Sequence, residues 1–261
     1  MTATTDVSGQ TDSGDAAWNA RVDLAALFRA CALHDLHEGI DNHCSVAVPG
    51  VADRFLLNPY GPHWSELCAG DLLEVTPDGT VVGDSVSSYE TTAFSLHAAV
   101  HAARPDANCV VHTHMPYATA LALTEGGFDT RLSQNAAKFH GGRYAFYRDY
   151  GARFLTPDEC APIVELAASG VRVVLLANHG VLVIGETVAR AWWDLYFFER
   201  AAMVQVLAAS TGQRLTPMPE AVAIRAAEQF EEERDDAPIT WAAVRRRLDR
   251  ELPGYALPGN R

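Results

Sequence analysis

Apolar positions along the 261-residue chain change period several times, and each change predicts an element. From Ala16 to Leu33, Trp18, Val22, Leu24, Leu27 and Cys31 recur at helical spacing, which turns one face of a helix toward a core. Short β-like pieces follow at Cys44–Val48, Phe55–Asn58, Leu72–Thr76 and Val81–Val82. Pro49-Gly50, Pro59-Tyr60-Gly61 and Pro77-Asp78-Gly79 punctuate them as turns. Glu90–Ala103 reads as a helix that stops at Arg104-Pro105. Cys109–His112 is a short apolar strand, and Pro116–Leu123 a helix. Pro157–Ser169 is a further helix, closed by Gly170.

The run Val171–Ala177 is mostly apolar, as suits a strand covered on both faces. Asn178-His179-Gly180 can turn the chain so that Val181–Ile184 pairs back on it. Glu186–Ser210 is a long amphipathic helix carrying Trp192, Trp193, Tyr196, Phe197 and Phe198. These aromatics occupy more than one helix face, a surplus that points to an assembly interface. Beyond Pro217 the pattern predicts one charged helix and a second around Trp241–Leu252.

Residues 1–15 are rich in Thr, Ser, Gly and Asp, the composition of a disordered tail. No internal repeat and no mid-chain linker interrupts the rest. Strands interleaved with helices predict one α/β domain over 16–214, followed by a helical C-terminal arm over 215–261.

The hydrophobic share is 48% and the charged share 20%, which fits a globular chain. Net charge is -13, from 33 acidic and 20 basic residues. Such a surface repels phosphates and anionic lipid, so neither nucleic acid nor a membrane is an expected partner. The five cysteines form no C-x-x-C pair, which reads as reduced thiols in a cytosol. Met1–Asp15 lacks the basic and apolar regions of a signal peptide. No run reaches the roughly 18 apolar residues of a membrane span. A cytoplasmic protein is expected.

Candidate chemistry sits among ten histidines. His112-Thr113-His114 ends an apolar strand, and strand residues i and i+2 share a face. His179 lies in a turn after another buried strand. Strand ends are where α/β proteins place their chemistry. Three neutral imidazoles with an open coordination position make a catalytic divalent-metal site. The plainer alternative is a pair of half-exposed loop histidines with ordinary hydrogen bonds. His97 and His101 form a rival pair, since i, i+4 residues share a helix face.

The stretch His97-Ala98-Ala99-Val100-His101-Ala102-Ala103-Arg104-Pro105-Asp106-Ala107-Asn108-Cys109-Val110-Val111-His112-Thr113-His114 resembles the core of the class II aldolase/adducin family. Leu175-Leu176-Ala177-Asn178-His179-Gly180-Val181-Leu182 resembles that family's second metal-ligand motif. Phe55-Leu56-Leu57-Asn58-Pro59-Tyr60-Gly61 is similar to the adducin-like branch. The resemblance runs from about Ala16 to Ala209. It implies a three-layer α/β/α fold with a mixed central sheet, and a homotetramer with active sites at subunit interfaces. It makes His112, His114 and His179 the ligands of one divalent ion. Zinc is the first expectation, with iron, manganese, cobalt or nickel as alternatives. His97 falls on a position that is not a ligand in the family.

Two departures matter. The family's sugar-phosphate aldolases carry a catalytic Glu after a Ser-Ser pair; the matching place here is Ala93, after Thr91 and Thr92, with Glu90 three residues away. Their Gly-Asn phosphate-binding turn is here Asn42-His43-Cys44-Ser45. By the same correspondence Asn42, Ser45, Tyr60, Gly61, Thr91 and Thr92 are the expected contacts of a small-molecule substrate. His63, His43 and Tyr150 are the expected catalytic groups in place of the missing Glu, with His140 a further candidate base. Trp64, Phe139, Tyr144 and Phe146 suit either an aromatic pocket or a core.

The expected function is a metal-dependent C–C lyase, of decarboxylase or retro-aldol type, on a small hydroxy or keto acid or an aromatic carboxylate. The metal would stabilise the enolate left when the bond breaks. Decarboxylation of a carboxylate needs no base to start it, so the absent Glu favours that branch. The first alternative is a non-haem Fe(II) oxygenase on the same fold. The second is a non-catalytic adducin-like binding protein, which is expected to lose ligand histidines that this chain keeps. Aldol cleavage of sugar phosphates is not expected.

Overall fold

The computed structural model describes residues 13–83, 85, 87–149 and 156–259. Its centre is a seven-stranded sheet: β1 (His43–Ala47), β2 (Phe55–Leu57), β3 (Leu73–Val75), β4 (Cys109–Thr113), β5 (Tyr144–Tyr147), β6 (Val173–Leu176) and β7 (Gly180–Gly185). The strand order is β3-β2-β1-β4-β7-β6-β5. All pairs are antiparallel except β5 with β6, so the sheet is mixed.

Each central strand splits its side chains between two apolar layers, because successive residues point to opposite faces. Val111, Val173, Leu175, Val181 and Val183 enter the larger core. It is closed by α1 (Ser13–Leu33), α3 (Pro116–Ala122), α6 (Val188–Ser210) and α8 (Ala237–Glu251). Val110, Val174, Leu182 and Ile184 enter the other, beneath α2 (Thr91–Ala103) and α5 (Pro157–Ala168). The outcome is the expected α/β/α arrangement in three layers.

Several boundaries differ from the sequence reading. The first helix starts at Ser13, so Ser13–Asp15 are helical, and Asp15 lies in its first turn, where an acid favours the helix dipole. Residues 1–12 lie outside the described residues. Val81 forms a single bridge with Val75 rather than a strand. β5 and the short α4 (Gln134–Ala137) fall where no element is expected. β5 is an edge strand, Tyr-Ala-Phe-Tyr, half-buried at every position. It therefore shows no alternation of apolar and polar residues.

The C-terminal segment holds two helices, α7 (Glu220–Glu233) and α8, joined by a 3-10 turn at Arg234–Asp236. α8 packs on α6 and α1, and α7 on α4. Trp241 Nε1 and Arg245 Nη1 both donate to Asp23 Oδ1 of α1, at 3.1 and 3.0 Å. Trp192, Trp193 and Phe198 are buried within the single chain. Much of the aromatic surplus of α6 thus covers the sheet and α8 rather than awaiting another subunit, and Tyr196 and Phe197 stay half-buried. Trp64 and Phe139 are also core residues, at 0% and 1% exposure, not pocket walls.

Candidate metal centre

β1 and β7 begin where β4 ends, because both run antiparallel to it. His43 opens β1, His112 lies near the end of β4, His114 follows it, and His179 precedes β7. The β6–β7 turn is tight, and Asn178 takes a left-handed conformation with φ 58°, which Asn tolerates better than most residues. Gly180 must stay small for another reason. A Cβ there would lie 2.6 Å from both His114 Cδ2 and the Thr113 carbonyl oxygen. Glycine lets the β7 strand come up against His114.

His112, His114 and His179 each offer a ring nitrogen, and these atoms all lie within 4.8 Å of one another. His112 Nε2 is 3.2 Å from His114 Nε2. The opposite nitrogens are held from outside. His112 Nδ1 donates to the Val181 carbonyl at 3.0 Å, and His114 Nδ1 to Glu38 Oε2 at 2.7 Å. A carbonyl or carboxylate accepts here, so both rings carry a proton on Nδ1 and turn Nε2 toward each other. Two ring nitrogens this close need a proton or a cation between them. Nitrogens each about 2.0–2.1 Å from a tetrahedral zinc ion are about 3.3–3.4 Å apart. The donor set, its spacing and its outer hydrogen bonds therefore fit a divalent ion. Burial, then the neighbouring imidazoles of His43, His179 and His114, hold His112 far below the ordinary histidine range. Burial, then His114, lowers His179 to about 4. His112 and His179 are therefore neutral at neutral pH, as ligation requires.

Asn42 ties the approach loop to the cluster. Its Oδ1 accepts from the Glu38 N–H at 2.7 Å and the His114 N–H at 3.2 Å. Its Nδ2 is buried and has no hydrogen-bond partner among the described residues. A buried unmet donor beside His114 is available to an oxygen of a bound molecule.

Of the expected catalytic groups, His43 lies beside the cluster, with its ring 4.8 Å from that of His112. His63 instead contacts Ser65, Glu66 and His37, none of them in the cluster. His140 is bonded to Thr130 and Glu220. Tyr150 lies outside the described residues. Of the expected substrate contacts, Ser45 is buried, with its hydroxyl bonded to His97 and His101. That places it behind His43 rather than against a ligand. Tyr60 is exposed, with its N–H bonded to the Ser88 carbonyl, and Gly61 has φ 119°. Thr91 and Thr92 open α2. The rival pair His97 and His101 is built into the α2–β1 contact and joins no group of three possible ligands among the described residues. Glu38 is the residue the sequence reading missed; only its place four residues before Asn42 hints at it.

The geometry defines an α/β protein with a strand-end cluster of three histidines that could hold a cation. Comparison with known proteins agrees. The family model described as Class II Aldolase and Adducin N-terminal domain matches residues 22–206. A Caulobacter vibrioides protein named "Putative aldolase class 2 protein" is 36% identical over 93% of each chain. The crystal structure of an aldolase II superfamily protein from Pseudomonas syringae covers 96% of this chain and 98% of its own, with TM-score 0.85 and 30% identity. An L-fuculose 1-phosphate aldolase from Glaciozyma antarctica shares the fold, with TM-score 0.80 at 22% identity over 96% and 97% of the two chains. The chain belongs to the class II aldolase and adducin family. The family's enzymes are metal-dependent lyases, and it also contains the adducins. Among the described residues no helix is long and apolar enough to cross a membrane.

Proposed function

We propose that this chain is a divalent-metal-dependent lyase that breaks a carbon–carbon bond in a small hydroxy or keto acid. The observation that carries this reading is the convergence of ring nitrogens from His112, His114 and His179 within 4.8 Å of one another, with His112 and His114 held from outside by hydrogen bonds. His112, His114 and His179 would hold the ion, zinc first among the candidates. When bound, the ion supplies Lewis-acid stabilisation of the negative charge left as the bond breaks.

The chain's own groups supply the rest. Asn42 Nδ2 donates to a substrate oxygen, and Glu38 orients His114. His43 stands beside the ligands where it can meet a substrate hydroxyl. Position 93 is alanine, and Glu90 precedes α2 rather than lying within it. The position that matches the aldolase base thus carries no carboxylate, which favours loss of CO₂ over cleavage of sugar phosphates. The unit that does this is residues 16–214, with 215–261 as a helical arm, assembled as a homotetramer in the cytoplasm.

The test is metal analysis of protein purified without oxygen, followed by screening small hydroxy and keto acids for CO₂ or aldehyde release. About one zinc per chain with product release is expected. Iron with substrate-dependent oxygen uptake would replace the lyase reading by an oxygenase. A full metal site with no turnover on any acid would favour the binding role suggested by the adducin side of the family.

A further inference from the structure

Behind His43 lies a continuous line of hydrogen bonds that ends on a backbone carbonyl. His43 Nδ1 is 2.8 Å from His97 Nε2, and His97 Nδ1 is 2.6 Å from Ser45 Oγ. Ser45 Oγ is 2.8 Å from His101 Nε2, and His101 Nδ1 is 2.5 Å from the Ala107 oxygen. All four side chains are buried. Two strand positions on one face of β1 and two positions one turn apart on α2 build the line.

The direction of every bond follows from its last member. The Ala107 carbonyl can only accept, so His101 Nδ1 carries the proton. Burial lowers His101 to about 4, so its ring is neutral and Nε2 has a lone pair. Ser45 must then donate to His101, and its oxygen accepts from His97 Nδ1. That leaves a lone pair on His97 Nε2, which accepts from His43 Nδ1. His43 is left with a proton on Nδ1 and none on Nε2. Its ring lies against His112, and Nδ1 is turned to His97, so Nε2 is the nitrogen left for a molecule at the metal ligands.

We propose that His97, Ser45, His101 and the Ala107 carbonyl are a tautomer-setting relay, which holds His43 with an open Nε2 lone pair as the acceptor for a substrate hydroxyl. The hydroxyl half of this rests on the lyase reading above; the relay itself does not. His43 is then the group that distinguishes a hydroxy acid from the same acid without its hydroxyl. His97, Ser45 and His101 are positioning residues.

The experiment is 15N nuclear magnetic resonance of the full chain labelled at histidine, metal-free and zinc-loaded, with His43 assigned through His43→Gln. Protonated and bare ring nitrogens are resolved directly. We expect His43 to be protonated at Nδ1 and bare at Nε2 in the parent. In Ser45→Ala, His43 should show a mixture of tautomers, and Ser45→Thr should restore the parent pattern. Parent His43 protonated at Nε2 overturns the relay, and so does a pattern unchanged in Ser45→Ala. Should Ser45→Ala not fold, the parent spectrum and Ser45→Thr still decide. A second arm measures the affinity ratio of lactate to propionate on the zinc-loaded protein. Chelation is common to parent and variant, so the change in ratio reports on His43 alone. Loss of one hydrogen bond predicts a ratio lower by about 2–10-fold in Ser45→Ala. An unchanged ratio overturns the hydroxyl role. Binding of neither acid overturns that role and the hydroxy-acid reading together, while the tautomer spectra still judge the relay.

Discussion

At the end of the sheet that holds His112, His114 and His179, the buried polar groups are imidazoles, an amide and hydroxyls. Where the C-terminal helices meet β6 and α6, they are guanidiniums and carboxylates. Arg234 Nη2 lies 3.0 Å from Asp194 Oδ2 and 2.8 Å from Glu186 Oε2. Arg172 reaches Glu231 at 2.8 Å and Asp194 at 3.6 Å. Asp194 is pushed up by burial and pulled down by Arg172 and Arg234. The charged cluster can only be satisfied one way, so it fastens α7 and the 3-10 turn to the domain. The histidine cluster keeps protons on the outward Nδ1 atoms of His112 and His114 and turns ring nitrogens inward. Both are largely buried, but the first leaves a donor unmet, Arg172 Nε, which no cation could use, whereas the second turns ring nitrogens inward, which suits one.

His114→Ala should break the comparison hardest at the histidine end. It removes one of three nitrogens, and zinc should fall from about one per chain to none after dialysis. Retained zinc would mean that the ion sits elsewhere. Asp194→Ala should do the reverse. It removes the buried carboxylate that Arg172 and Arg234 share and leaves them only Glu231 and Glu186; losing one partner of a buried pair costs about 3–5 kcal/mol, and the remaining partners put the expected loss at the lower end. Urea titration should show that loss, while zinc content stays at the parent value. A parallel drop in zinc affinity would show that the two clusters are coupled.

Acid should separate them in a third way. Folded His101 takes a proton only near pH 4, whereas an unfolded imidazole does so at about 6.5. Between those values the unfolded chain binds more protons. Stability is therefore full above about pH 6.5 and falls as the pH drops toward 4. The slope is up to about 1.4 kcal/mol per pH unit for this group, and about 3 kcal/mol in all. His43 and His97, lowered by burial and then by His97 and His101 respectively, act in the same direction. His101→Phe in metal-free protein should flatten the dependence by about one proton. An unchanged slope would remove His101 from the account.

The two clusters also differ in how far they can be read without coordinates. His112 and His114 are legible because strand alternation alone brings i and i+2 to one face, and His179 because it sits in a turn after a buried strand. The relay is not legible. His97 and His101 show only i, i+4 spacing, which suits ligands and packing equally, and their partner Ser45 lies 52 and 56 positions away. The register of β1 on β4 decides it, pairing His43 with His112 and Ser45 with Val110. Sequence periodicity does not encode that register. The ionic cluster is hidden for the same reason: Arg234 and Asp194 are 40 positions apart on separate helical segments. β5 escapes because an edge strand half-buried on both faces has no alternating pattern. The α/β class itself is plain from the interleaving of strands and helices, and its three layers are what the family resemblance implies.

Glu38 gives the smallest and most discriminating test. Its carboxylate accepts from His114 Nδ1 at 2.7 Å, and its own backbone N–H donates to Asn42 Oδ1. The side chain is 68% exposed, so water screens its charge, and what it contributes is orientation more than field. Removing an outer partner of a ligating histidine typically weakens metal binding about 10–100-fold. Exposure puts Glu38→Ala at the lower end, about tenfold, which is about 1.4 kcal/mol. Glu38→Gln keeps an acceptor for the Nδ1 proton and loses only the charge, so it should recover most of that affinity. The backbone bond to Asn42 survives both changes, which keeps the loop in place. Competition with a chelator of known zinc affinity measures each variant. Equal losses in Ala and Gln would make the charge, not the hydrogen bond, the active property. No loss in either would mean that Asn42, through the His114 N–H, and the close approach of Gly180 hold the ring unaided.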